Sequence, residues 1–239
     1  MSSKKDPTTS VRSAAVPAAP VGQTIRSRWR LPHWESTHGV YFVTFRLFDS
    51  LPRTVLQQFE TERQAFVATA QRMGREPSPS ERNRLAKLFT SRMEAYLDSG
   101  AGACHLAKPR VAEVVAATLH HFDEWRYRLF AWCVMPNHVH VVFQPLGGHS
   151  LADTLHSWKS YSAKKANQLM RRSGTFWQRE YYDHLIRDGE EFSWVVRYVA
   201  ENPRRAGLRS WPWIWVRGAR PAEAGATRQG PSPLGGARE

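Results

Sequence analysis

The apolar residues of the chain change their spacing several times, and each change predicts a new secondary-structure element. GVYFVTFRL, from Gly39 to Leu47, is rich in β-branched and aromatic residues and predicts a first strand. Residues 51–73 and 80–97 follow a helical spacing, and residues 111–121 repeat valine and leucine along one helical stripe. The first half of the chain therefore predicts a strand, a pair of helices and a further helix.

The second half of the chain returns twice to strand-like sequence. A tight turn is expected at Met-Pro-Asn, since proline lacks the N–H that a strand ladder needs. The predicted elements are a strand from Arg126, a strand from His138 to Phe143, a helix from Ser150 to about Arg172, a strand from Tyr181 to Arg187 and a helix from Glu190 to Glu201 that ends at Asn202-Pro203.

The order of these elements predicts the fold class. Without the helical pair it is β-α-β-β-α-β-α, which is typical of an α+β, ferredoxin-like (split βαβ) antiparallel sheet with helices on one face. Residues 51–99 are then a helical insertion after the first strand of a domain that spans residues 26–217. Residues 1–25, a basic tail rich in Ser, Ala and Pro, and residues 218–239 are expected to be disordered.

The composition narrows the partners that this domain can bind. Lys and Arg number 34 against 21 Asp and Glu, and the net charge of +13 favours nucleic acid, with a merely basic surface as the alternative. Cys104 and Cys133 form neither a zinc pair nor a disulfide framework, which fits a reduced, cytoplasmic compartment. No apolar run approaches the ~20 residues of a membrane span, and the N-terminus has no secretory signal, so no membrane partner is expected.

WCVMPNHVHVVFQP, from Trp132 to Pro145, places two histidines in an otherwise apolar strand. Side chains two residues apart lie on the same face of a strand, so His138 and His140 are expected side by side. Two imidazoles on one strand are half of a divalent-metal site. The alternative is two polar residues on a solvent-facing side of the sheet.

The last predicted helix carries two polar residues at the edge of its apolar stripe. Tyr198 and Asn202 are four positions apart and therefore lie on one side of the helix. If that side faces the sheet, Tyr198 presents its hydroxyl group and Asn202 offers a carbonyl oxygen to a metal. Taken alone, both positions are better explained as a boundary tyrosine and a helix-terminal asparagine.

Five sequence blocks occur along the chain in the order YFVTFRL, MPNHVHVV, WKSYSAKKANQ, FWQREYYDHLIRD and RYVAENPRRAGL. Together they resemble the HUH single-tyrosine transposases of the insertion-sequence-two-hundred-like family and, among these, the REP-associated tyrosine transposases. The resemblance covers about residues 26–210 and is weak over the insertion at residues 51–99.

The resemblance implies a metal-dependent single-strand DNA endonuclease and transposase with a ferredoxin-like fold in the bacterial cytoplasm, at nucleoid DNA. It maps the nucleophile onto Tyr198, and the ligands of Mg2+ or Mn2+ onto His138, His140 and Asn202, where many relatives carry glutamine. A 5′-phosphotyrosine intermediate would let single-stranded or hairpin DNA be cut and rejoined, by a monomer or a homodimer. The competing tyrosines are Tyr161, Tyr181 and Tyr182.

Basic residues interleaved with aromatic ones predict the DNA-binding surface, because cations suit phosphates and aromatic rings stack on unpaired bases. The expected DNA-binding residues are Arg26, Arg28, Arg30, Lys159, Lys164, Lys165, Trp177, Arg179, Arg204 and Arg205. For the lysine-rich helix, a solvated amphipathic surface is the alternative. The alternative function is a catalytically silent regulator of the same fold that binds structured DNA or RNA.

Overall fold

The computed structural model describes residues 24–28, 31–35, 39–74 and 92–219. Most of both expected tails, and most of the second helix expected in the insertion, lie outside these ranges. The elements are β1 (Thr24–Arg28), β2 (Leu31–Glu35), β3 (Val40–Arg46), α1 (Arg53–Arg72), α2 (92–98), α3 (Pro109–His120), β4 (Tyr127–Val134), β5 (His138–Pro145), α4 (Leu151–Leu169), β6 (Tyr182–Ile186), α5 (Gly189–Arg205) and β7 (Ile214–Val216). The expected domain limits stay a prediction.

Strands β3 to β7 form an antiparallel sheet of five strands in the order β6-β3-β5-β4-β7. Because α3 connects β3 to β4 while β5 lies between these two strands, the first four positions have the split βαβ arrangement. The α+β class and the antiparallel sheet are therefore confirmed. The sequence did not predict β7 at the sheet edge or the antiparallel hairpin of β1 and β2.

The two faces of the sheet pack against different helices. Val43 and Val141 lie in an apolar core together with α3 and α4. Phe42 and Val142 point to the opposite face, where they pack with Val195 and other residues of α5. The expected one-sided layer of helices thus holds for α3 and α4, whereas α5 covers the other face. The apolar stripe of α5 packs against this second face, since α3 and α4 already occupy the first face.

Helix α5 extends beyond the end that the sequence predicted. Asp188 caps its start by accepting a hydrogen bond from the backbone N–H of Glu191 at 2.8 Å. The helix was expected to end at Asn202-Pro203, but it continues through Pro203 to Arg205. Proline removes one helical donor, yet the backbone N–H of Ala206 still bonds to the carbonyl of Asn202 at 3.0 Å, so the last turn remains closed.

The C-terminal end of the insertion is attached to the turn between β4 and β5. Asn137 in that turn is fully buried, and its amide nitrogen donates to the carbonyls of Leu97 at 3.0 Å and Ala101 at 2.9 Å. Gly102 follows with φ of +88°, and a Cβ there would lie 2.6 Å from the backbone oxygen of Asp49. Residues after α2 are therefore fixed against the sheet.

None of the helices in the described ranges combines the length and the apolar character that crossing a membrane requires.

Candidate active site and metal centre

His138 and His140 lie side by side on β5, on the face of the sheet that packs against α5. The ring of His140 stacks on Phe42 with a centroid distance of 5.6 Å. The two histidines are 1% and 0% exposed, which excludes a solvent-facing pair. Their Nε2 atoms are 3.0 Å apart.

Each imidazole is oriented through its Nδ1 atom. His138 Nδ1 lies 2.7 Å from Asn137 Oδ1, and His140 Nδ1 lies 2.8 Å from the hydroxyl of Thr44 on β3. Since the amide nitrogen of Asn137 donates to two carbonyls, its oxygen is an acceptor and His138 Nδ1 carries the proton. The neutral His138 ring therefore has its lone pair on Nε2, towards His140.

Burial keeps both imidazoles in the form that binds metals. It lowers the pKa of His138 well below its ordinary value, with a further contribution from His140, and it lowers the pKa of His140 to about 3. Neutral imidazole is the ligand form. Two nitrogens bound at right angles to one ion at ~2.1 Å are ~3.0 Å apart. The observed separation of 3.0 Å fits this geometry.

Helix α5 brings Tyr198 to the histidine pair, and Asn202 lies one turn further along the same side of this helix. The rings of Tyr198 and His140 meet edge to face with centroids 5.7 Å apart. Asn202 is 2% exposed, and its Oδ1 is a buried atom without a hydrogen-bond partner. Leaving a buried acceptor unpaired costs about 1–3 kcal/mol, so this oxygen is suited to a ligand. Two neutral imidazoles and one unpaired amide oxygen fit a divalent ion.

No group of three or more His, Cys, Asp and Glu side chains within the described ranges is arranged to hold a metal ion. A metal centre here therefore depends on a donor outside those residue types, such as the amide of Asn202, or on an acidic side chain that moves closer.

Two acidic residues of α2 reach the same site from the insertion. Glu94 accepts a hydrogen bond from the Tyr198 hydroxyl, and Asp98 Oδ1 lies 4.0 Å from His138 Nε2. Burial, followed by the charges of these two carboxylates, raises the pKa of Tyr198, whereas Arg205 lowers it. Tyr198 is therefore a neutral phenol before reaction. Sequence reasoning missed both acids: Glu94 was on the helix predicted for residues 80–97, but Asp98 was placed just beyond its end, although their spacing of four residues was a usable signal.

Trp194 and Arg205 enclose the ring of Tyr198. Trp194 stacks on it at 5.6 Å with an angle of 15° between the planes, and the Arg205 guanidinium lies 5.4 Å from its centroid. Of the competing tyrosines, Tyr182 also lies on this face, 6.3 Å from Phe42. Tyr161 is 54% exposed on α4, and Tyr181 packs against the core on the opposite face.

The expected DNA-binding residues differ in accessibility. Arg26 and Arg28 lie on β1, and Arg30 lies outside the described residues. Lys164, Lys165, Arg179, Arg204 and Arg205 are exposed. The Lys159 ammonium donates to the carbonyl of Arg179 at 2.7 Å, and burial lowers its pKa to about 8.

Trp177 corrects one of these expectations. Its side chain is 5% exposed, packs against Phe45 at 4.8 Å and donates from Nε1 to the Ser162 hydroxyl at 2.9 Å. It is a core residue and offers no free ring for base stacking. Arg46, which lies opposite His138 in the register of β3 and β5, is also buried, and burial lowers its pKa to about 10.

Comparisons with known proteins match the segment of the chain that carries these site residues. Residues 105–202 match the family model described as transposase IS200 like, so the match includes both histidines, Tyr198 and Asn202. A Haemophilus influenzae protein named as a REP-associated tyrosine transposase is 26% identical over 106 residues. The matched part is 38% of this chain and 60% of that relative. The chain thus spans about three fifths of the length of the relative.

A solved structure of the REP-associated tyrosine transposase bound to a REP hairpin is also similar. It has a TM-score of 0.43 and 14% identity, over 79% of this chain and 82% of that chain.

Residues 105–202, the segment that carries the histidine pair and Tyr198, are thus similar to the IS200-like transposases. The chain is also similar to a protein named as a REP-associated tyrosine transposase, so the resemblance that the motifs indicated is confirmed.

Proposed function

We propose that this protein is a metal-dependent single-strand DNA endonuclease and transposase that cuts and rejoins DNA beside a hairpin. The observation that carries the proposal is the contact of Tyr198 with the histidine pair, with the unpaired oxygen of Asn202 one turn further along the same side of α5. A nucleophile next to a possible metal centre is what phosphodiester transfer requires.

His138, His140 and Asn202 would hold Mg2+ or Mn2+. When bound, such an ion polarises the scissile phosphate and neutralises charge on its oxygens. Asn137 and Thr44 orient the two imidazoles, so that both Nε2 atoms can bind an ion without rearrangement of the rings. A pre-arranged shell of this kind lowers the cost of reaching the reactive geometry.

Tyr198 supplies the nucleophile. Its oxygen forms a bond to phosphorus while the bond from phosphorus to the 3′ oxygen breaks, and the 3′ oxygen takes a proton from water. The phenol proton passes to Glu94, which already accepts its hydrogen bond. The products are a 5′-phosphotyrosine and a free 3′-hydroxyl, and the covalent bond retains the energy needed for rejoining.

The charge of the protein supports DNA as the partner. The net charge is +13, and the exposed cations Lys164, Lys165, Arg179 and Arg204 can neutralise phosphates. Arg205, whose guanidinium lies 5.4 Å from the Tyr198 ring centroid, would contact the phosphate that reacts. The hairpin is part of the proposal because of the relationship to the REP-associated tyrosine transposases.

The test is incubation of the protein with Mn2+ and a hairpin-bearing single strand, followed by a denaturing gel. A covalent adduct should form with the wild type and with Tyr161→Phe, whose ring is exposed on α4. It should be absent with Tyr198→Phe. An adduct that persists in Tyr198→Phe indicates a different nucleophile. Tight hairpin binding without cleavage in any divalent metal supports the silent regulator instead.

A further inference from the structure

Asp98, the last residue of α2, is held beside the histidine pair by the residue that also orients His138. Asn137 donates to the carbonyls of Leu97 and Ala101, on either side of Asp98 in the chain, and its oxygen contacts His138 Nδ1. Because one buried amide fixes both the imidazole and the backbone around the carboxylate, their relative position is determined by the fold.

The Asp98 carboxylate has one oxygen in an unusual environment. Its Oδ1 is buried and has no hydrogen-bond partner, although the side chain as a whole is 33% exposed. A buried, unpaired carboxylate oxygen is costly unless a cation or a donor compensates it. Asn202 Oδ1 on α5 is unpaired in the same way.

The distance between Asp98 Oδ1 and His138 Nε2 is compatible with a shared ion. Two ligands that each bind one ion at ~2.1 Å are at most ~4.2 Å apart. Asp98 Oδ1 is 4.0 Å from His138 Nε2, and the two Nε2 atoms are 3.0 Å apart. Both separations are within that limit, but the first is close to it, so the Asp98 carboxylate has to move towards the histidine pair to bind the ion.

We propose that Asp98 is an oxygen ligand of the divalent ion, and hence that the helical insertion supplies part of the metal centre. Two imidazoles and one carboxylate are a known ligand set for divalent metals that leaves further positions open. Those positions would accept the Asn202 oxygen and a phosphate oxygen of the DNA. The inference rests on the proposed function, because it concerns the same site.

The first test measures metal binding to the full-length protein without DNA. Mn2+ is titrated by calorimetry, and its effect on Tm is recorded. Losing a direct ligand should cost at least as much as losing an outer partner, so Asp98→Asn should bind Mn2+ at least about tenfold more weakly. Glu62→Gln removes an equal charge from the same insertion, where Glu62 pairs with Arg92, and should bind like the wild type. Equal affinities of Asp98→Asn and the wild type would overturn the inference.

A second test separates a ligand from a merely structural residue. A thiolate selects soft ions, so Asp98→Cys should bind Cd2+ at least about tenfold more tightly than Asp98→Ser, which has nearly the same shape. Both variants retain Cys104 and Cys133, so the background is identical. Equal Cd2+ affinities of the two variants mean that position 98 does not reach the ion.

The two proposals fail in distinguishable ways. If Asp98→Asn keeps the Mn2+ affinity of the wild type while the wild type still forms the Tyr198 adduct, the ligand role of Asp98 is wrong and the nuclease stands. If the wild type binds no Mn2+ even with the hairpin strand present, both proposals are wrong.

Discussion

The two faces of the sheet bury polar groups in different ways. On the face covered by α3 and α4, the Tyr127 hydroxyl is fully partnered: it donates to the Leu119 carbonyl at 2.8 Å and accepts from Trp158 Nε1 at 2.9 Å. On the face covered by α5, the Asn202 and Asp98 side chains each have a buried oxygen without a partner. Asn167 on α4 has one as well, but Asn202 and Asp98 lie near Tyr198.

Burial alone therefore does not identify a functional residue, whereas the presence or absence of hydrogen-bond partners at buried polar atoms helps to do so. A satisfied polar network makes a core specific and rigid. Unpaired atoms that converge beside a nucleophile instead indicate a place for a ligand. Changes on the α3 and α4 face should therefore alter stability, and changes on the α5 face should alter metal binding and catalysis.

The largest effect is expected from Glu94→Gln at the tyrosine. Glutamine keeps the shape and can still accept a hydrogen bond, but it cannot take the phenol proton. Loss of a general base lowers rates by about 10²–10⁴-fold, and adduct formation in a single turnover should slow accordingly. Glu113→Gln, exposed on α3, is the matched control. An unchanged rate would show that the proton leaves by another route.

Trp158→Ala should produce the largest loss of stability on the other face. The side chain is 2% exposed, and its removal leaves a cavity between α4 and the sheet. Such changes cost about 3–5 kcal/mol, measurable by urea unfolding. Trp125→Ala, where the ring is 71% exposed, should change the free energy of unfolding by less than about 0.5 kcal/mol. A similar loss in both variants would contradict the assignment of this face as a structural core.

Thr44→Val should weaken metal binding without large loss of stability, since valine keeps the shape but removes the partner of His140 Nδ1. Outer partners of metal-bound histidines are worth 10–100-fold in affinity, so a decrease in Mn2+ affinity of about tenfold is expected by calorimetry. Thr118→Val is the control on the opposite face, where the hydroxyl bonds to the Val114 carbonyl. Equal affinities of the two variants would mean that Thr44 does not orient the ligand.

The smallest effect concerns acid stability of the metal-free protein. Burial lowers the pKa of His138 and His140 in the folded state, so below about pH 6.5 the unfolded chain binds more protons. Stability is thus complete above the unfolded pKa and falls with pH towards the folded pKa. At pH 5.5 the loss is about 1 kcal/mol per histidine.

The measurement is Tm as a function of pH in the presence of chelator. This profile should be flatter for His140→Gln, and unchanged for His149→Gln, whose ring is exposed. Parallel profiles would contradict buried neutral imidazoles.

The sequence was sufficient for features that depend on local periodicity. Alternation on β5 placed His138 and His140 on one face, and helical spacing placed Tyr198 and Asn202 on one side of α5. The strand order also agrees with the order of predicted elements.

The remaining features depend on contacts between distant residues. Periodicity shows that a helix has an apolar side. It does not show which face of the sheet that side packs against, so the position of α5 was not predicted. For the same reason Trp177 was predicted to bind DNA, whereas its side chain is buried in the core. The acids of α2 reach the site because Asn137 donates hydrogen bonds to a segment 36 to 40 residues earlier in the chain. No local pattern encodes that contact.

The role of Tyr198 as the nucleophile is tested most directly by identifying the amino acid that is joined to DNA. The wild-type adduct with a hairpin strand would be digested with protease and nuclease, and the modified peptide sequenced by mass spectrometry. We expect a peptide with a nucleotide phosphate on Tyr198, and we expect this modified peptide to be absent when Mn2+ is removed by chelator. A modification on Tyr161, Tyr181 or Tyr182, with Tyr198 unmodified, would contradict it.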